Sequence, residues 1–224
     1  MTTEDVRLAV YRGFASTGHA PATAALAAAT GQSPDDVRTA LRQLHDNRDL
    51  VLDPADPERI VMAHPFSGIP LHFSVMGPDT LWWGGCAWDS FAIPHLLDGL
   101  PDVLAATRCP ACATPHAWTV TAEAPPKGNQ VAHFLTPASR VWDDVVHTCR
   151  NQRLFCSVDC VEDWLGRTGE QRGYVMDLPT LWRLARGWYA GRLNRGYRRR
   201  DPASAAAYFA SVGLRGPFWG LPED

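Results

Sequence analysis

The stretch Leu81-Trp82-Trp83-Gly84-Gly85-Cys86-Ala87-Trp88-Asp89-Ser90-Phe91-Ala92-Ile93-Pro94 decides the architecture of the chain. Its first three residues lead as an apolar segment into a glycine pair, and residues 84–97 read as a helix. Upstream, residues 71–75 alternate like a strand; downstream, residues 118–121, 131–135 and the short run 141–147 do the same. Residues 157–165, 178–193 and 203–212 carry helical patterns. The sum is an α+β chain with a mixed or antiparallel sheet and flanking helices.

The segment before this part, residues 1–63, reads as a smaller helical unit. Thr2-Thr3-Glu4-Asp5 caps a helix bearing Val6, Val10, Tyr11 and Phe14, and Pro21 opens an alanine-rich helix ending near Gly31. Ser33-Pro34-Asp35-Asp36 caps a third helix with Val37, Leu41 and Leu44. Two short strands, 50–52 and 60–62, follow. Three helices and a hairpin give a winged helix-turn-helix-like order. Arg38, Arg42 and Arg48 are offset by Asp35, Asp36, Asp46 and Asp49, so the unit reads as structural rather than as a DNA reader. Residues 64–224 form the second, larger domain in this division.

Composition narrows the class. The 224 residues are 46% hydrophobic and 20% charged, ordinary for a soluble globular chain. No run approaches the ~18 apolar residues of a membrane span, and the start lacks the pattern of a signal peptide, so a cytoplasmic protein is expected, with no membrane partner. A net charge of −3 gives no general attraction to nucleic acid. Six cysteines in such a chain point to metal binding or catalysis rather than to disulfides.

Cys86 and Asp89 stand at i, i+3, where a thiol and a carboxyl on one helix face address the same atom. The glycine pair allows close approach to the helix start, where the dipole favours a thiolate. The segment Cys86-Ala87-Trp88-Asp89, followed by Phe91 and Ile93-Pro94, resembles the active-site segment of the organomercurial (alkylmercury) lyases. A second segment is similar to that family as well: Cys149, a polar run, Leu154-Phe155, Ser157-Val158 and then Glu162-Asp163-Trp164. With the helical unit in front, the resemblance spans residues 1–165.

The resemblance implies protonolysis of a carbon–mercury bond, with Cys86, Asp89 and Cys149 catalytic, a small organometallic substrate and no organic cofactor. Its bound product is Hg²⁺, passed on to cellular thiols or a mercuric reductase. The chemistry agrees: mercury is soft and takes two thiolates, and the carbon it gives up needs a positioned acid.

Four further cysteines fall in Cys109-Pro110-Ala111-Cys112 and Cys156-Ser157-Val158-Asp159-Cys160. A C-x₂-C followed by a C-x₃-C is zinc spacing, which predicts a structural zinc site; a relay of mercury or copper through these thiols is the rival. The eight histidines form no H-E-x-x-H or H-x₃₋₅-H cluster and default to core or surface. The arginines at 183, 186, 192, 195 and 198–200 read as a solvated helix face with its exit, and Gly216-Pro217-Phe218-Trp219 as an aromatic plug. Two alternatives remain at this level: the same fold turned to another thiol-dependent, biosynthetic reaction, and a metal-responsive DNA-binding regulator.

Overall fold

The structure, a computed structural model, describes residues 2–97, 99–100 and 103–223. The first helix, α1 (Thr3–Thr17), starts where the Asp5 carboxylate accepts from the Thr2 amide at 2.7 Å and ends at Gly18, whose φ of 76° is left-handed. Helix α2 (Thr23–Thr30) stops at Gly31 and α3 (Pro34–Asp46) begins under the Ser33 cap. Val6, Val10, Tyr11, Phe14, Leu26, Val37, Leu41 and Leu44 close one apolar centre among the three.

Strands β1 (Val51–Asp53) and β2 (Asp56–Ala63) form the hairpin. It does not end there, because Met62 and Ala63 pair with β3 (Phe66–Ser67), which pairs with β5 (Leu81–Gly84). With β4 (Phe73–Met76), β6 (Val103–Arg108) and β7 (Pro115–Val120), the sheet runs β1-β2-β3-β5-β4-β6-β7. A second sheet, β10-β8-β9, is built from β8 (Val131–Phe134), β9 (Gln152–Phe155) and β10 (Tyr174–Asp177). Every strand pair among the described residues is antiparallel.

The decisive helix is α4 (Ala87–Leu96), which packs on β4 and β5 of the large sheet, on β9 of the small one, and on α7 (Leu178–Trp188). Eight of its ten residues are buried, Asp89 and Ser90 among them. It begins later than the pattern 84–97 indicates, because Gly84 still pairs in β5 and Cys86 is the cap rather than a helical residue.

Helix α5 (Val145–Arg150) replaces the strand expected over 141–147. The Asp144 carboxylate accepts from the His147 amide at 2.9 Å, and that cap outweighs a short alternation of apolar residues. Helices α6 (Val158–Thr168) and α8 (Pro202–Ser211) complete the fold. Trp219, 2% exposed, packs on Trp88, Phe134 and Phe209, so the chain's last aromatic residues seal the core. No helix among the described residues is long and apolar enough to cross a membrane.

Candidate active site

Glycines 84 and 85 determine how close strand and helix approach. A Cβ on Gly84 would strike the Ser90 hydroxyl, and one on Gly85 would strike both Asp89 Oδ2 and Met62 Cε. The turn therefore brings Cys86 to the cap of α4, where its Sγ accepts from the Asp89 amide at 3.4 Å. Ser90 Oγ donates to the Cys86 carbonyl at 2.6 Å and fixes the turn.

Cys149 arrives from the other side, on the last turn of α5. Cys86, Asp89 and Cys149 line one cavity of about 570 Å³ and are 2%, 1% and 3% exposed. Sixty-two residues of chain lie between the two thiols, yet they are close enough to share a hydrogen bond.

Two residues that sequence reasoning left aside complete the corner. Tyr189, just past α7, donates its hydroxyl to Asp89 Oδ1 at 2.6 Å. His64, buried at the end of β2, has its Nε2 3.4 Å from Cys149 Sγ and 3.9 Å from Asp89 Oδ2. Asp89 Oδ2 and His64 Nδ1 have no hydrogen-bond partner, so this end of the cavity holds unspent polar capacity in an apolar wall. No sequence signal marks His64, which has no partner within helical or strand spacing.

Burial governs the electrostatics. It pushes the Cys86 thiol well above its ordinary value, reversing the expectation that the helix start would lower it; the nearby Cys149 and Asp89 add to the rise. The hydrogen bond from Cys86 favours the Cys149 thiolate, but burial and the Asp89 charge together raise that thiol too. Burial lifts the Asp89 carboxyl to about 7, against the Tyr189 hydrogen bond that favours its charge. It also lowers His64 to about 3, leaving a neutral imidazole. At neutral pH the corner therefore holds two protonated thiols beside an acid poised to gain or lose a proton.

Arg192 departs from the solvated face read for the late arginines. It is buried, donates to the Tyr11 hydroxyl at 2.9 Å and to the Asp49 carbonyl at 3.3 Å, and joins the segment after α7 to α1.

A separate cluster lies where the β6–β7 turn meets α6. The Sγ atoms of Cys109, Cys112, Cys156 and Cys160 all lie within 4.8 Å of one another. The turn is held by Ala113 N–H to the Cys109 carbonyl at 2.9 Å, and Arg167 of α6 donates to the Ala111 carbonyl at 2.7 Å. Hydrogen bonds from Thr114 bring the Cys112 thiol down to about 6, so one sulfur is already a ready ligand.

A family model for the alkylmercury lyases (MerB) matches residues 66–190, more than half of the chain, with Cys86, Asp89, Cys149 and Tyr189 inside the match and His64 just ahead of it. The chain belongs to the alkylmercury lyase family. It is thus an enzyme of the class that breaks carbon–mercury bonds. Among solved structures it is similar to one described as the crystal structure of the mercury-bound form of MerB2, with a TM-score of 0.63 and 20% identity over 83% of this chain and 89% of that one. At that identity the likeness establishes the fold. A search of curated protein sequences finds no match.

The raised Asp89 carboxyl makes a stability difference that depends on pH. An acid protonated more readily in the folded chain costs nothing below its unfolded value near 3.8, and its full penalty is present above about 7. Asp89→Asn, which removes the charge, is therefore expected to match wild type near pH 4 and to melt higher by pH 8. The gain is a few kcal/mol at ~1.4 kcal/mol per pKa unit. Falling pH destabilises both proteins through histidines such as His64, and the difference between them isolates Asp89. Thermal melts from pH 4 to 8 check this; a difference that does not grow with pH would refute it.

Proposed function

We propose that the chain cleaves organomercurials by protonolysis, with Cys86 and Cys149 taking the mercury and Asp89 carrying the proton to carbon. The observation that supports this is the meeting of two buried thiols and a carboxyl at the closed end of one cavity. The first thiol displaces X from R–Hg–X: the S–Hg bond forms as the Hg–X bond breaks, and X leaves with the thiol's proton as HX. The second thiol passes its proton to Asp89 as it becomes the second ligand. Asp89 then protonates the carbon: the C–Hg pair becomes the C–H bond, R–H leaves, and Hg²⁺ stays on two thiolates. An acid near 7 suits both halves of that relay, and two soft donors suit the product. Hg²⁺ held this way leaves by exchange onto other thiols, whether of the cellular pool or of a mercuric reductase.

The four-cysteine cluster we read as a structural zinc site. Tetrahedral Zn–S bonds of about 2.3 Å place sulfurs about 3.8 Å apart. Sγ atoms all within 4.8 Å of one another, with Cys112 and Cys156 at 3.4 Å, fit that geometry. Residues 1–63 we read as a winged-helix-like structural cover. Arg38 on α3 is already engaged by Asp35 at 2.6 Å and Glu58 at 2.8 Å, which leaves little for a phosphate backbone.

Incubation with phenylmercury and excess thiol tests the central assignment. Benzene, followed by gas chromatography, is expected to accumulate beyond one equivalent per chain; none from any organomercurial overturns it and leaves another thiol-dependent reaction.

A further inference from the structure

We propose that the mouth of the active-site cavity is a carboxylate subsite, formed by Arg48 and Arg199 against Trp142 with Arg200 beside them. It would select organomercurials that carry an anionic group on one of mercury's two substituents. The proposal rests on the lyase assignment above and names its substrate class.

The cavity has two chemically distinct zones. Its inner wall is aromatic, with Trp88, Trp188, Phe209 and Trp219 packed ring on ring at 4.9–6.1 Å. That zone suits an apolar organic group. Its mouth is cationic: Arg48, Arg199 and Arg200, all exposed, line it, buried Arg192 lies deeper, and Asp89 is the one carboxylate of the lining. Asp89 lies at the closed end with its carboxyl raised to about 7, so it does little to offset them. The chain as a whole carries a net charge of −3, so this positive mouth is a local feature and not a background.

The arginines differ in what occupies them. Arg192 is taken up by Tyr11, Tyr197 and the Asp49 carbonyl. Arg48 and Arg199 instead face the Trp142 ring, their guanidinium carbons 6.0 and 5.7 Å from its centre, and form no ion pair within 4 Å among the described residues. Half-buried Asp49 acts on Arg199 only electrostatically and does not line the cavity. Arg200 lies 4.5 Å from the Tyr208 ring and gives one hydrogen bond to the Gly187 carbonyl at 3.2 Å.

A guanidinium held near a ring face and engaged by no carboxylate has N–H groups to give, and these can take a carboxylate in a two-pronged pair. Where thiols are abundant, R–Hg⁺ exists as a thiol adduct. The carboxylate therefore comes either from the organic group or from the thiol still bound to mercury.

The experiment compares wild type with the Arg48→Gln/Arg199→Gln double variant. Each receives phenylmercury or 4-carboxyphenylmercury, in excess 2-mercaptoethanol or excess mercaptoacetate, and kcat/KM for release of benzene or benzoate is measured. In wild type a carboxylate is expected to raise kcat/KM about tenfold over the all-neutral pair, chiefly through KM, as a charge-assisted pair does. Salt should erode the gain. The arm that shows it tells whether the organic group or the thiol is seated.

In the double variant the ratio should fall to near one. A merely structural defect would lower all arms together and keep the ratio. No preference in wild type, or a preference that survives both substitutions, overturns the subsite. If wild type turns over none of the four, the lyase assignment fails by itself. Tryptophan quenching on binding of the same mercurials then decides the subsite by the same ratio.

Discussion

Asp89→Asn is expected to hold an organomercurial tightly and release no hydrocarbon. Asparagine keeps the size of the side chain and still accepts the Tyr189 hydroxyl bond made to Oδ1, but it has no proton to give to carbon. Capture depends on sulfur, and both thiols remain. Loss of a positioned acid costs ~10²–10⁴-fold in rate, so a single-turnover time course by gas chromatography separates the proteins plainly. Cys86→Ser and Cys149→Ser should fail earlier, at capture, because a hydroxyl is a poor ligand for a soft metal. Equal hydrocarbon release by wild type and Asp89→Asn would remove Asp89 from the mechanism.

The second large effect is expected on stability. Protein purified without chelator should carry about one zinc per chain, and Cys109→Ser should lose it together with much of the order around α6. The reason is local. Cys109, Phe155, Val161 and Leu165 form a satellite core separate from the main one, with Trp164, Cys156 and Cys160 around it. Few apolar contacts hold that patch, so the metal has to supply what packing does not. A loss of several kcal/mol lowers a melt by on the order of 10 °C in a chain of this size. Hydrogen exchange should show the change over residues 156–168 while α4 stays protected. A metal-free protein whose melt is unmoved by Cys109→Ser would dispose of the zinc site.

The parts of the site legible in the sequence are those whose partners lie within one turn or one spacing rule. Cys86 and Asp89 share a helix start, and the two cysteine pairs announce themselves by two and three intervening residues. Cys149 had no local signal and was reached through the family resemblance of its segment. His64 and Tyr189 were out of reach, because their significance comes from Cys149 and Asp89, 85 and 100 residues away.

The fold shows the same division. Capped helices such as α1 and α3 could be read from Thr2–Asp5 and Ser33-Pro34. Two-residue β3 has no pattern of its own and exists because β2 and β5 flank it. Strands β9 and β10 likewise owe their pairing to β8 rather than to alternation.

Arg192, Tyr189 and Trp219 give the molecule an order of assembly. A ribosome delivers Cys86, Asp89 and Cys149 before any of the three. A nascent chain thus presents these two thiols and the carboxyl while the hydroxyl that bonds Asp89, the cation that ties the late segment to α1, and the ring that packs on the aromatic wall are still to come. A soft metal ion met at that stage would find sulfur without a chamber around it.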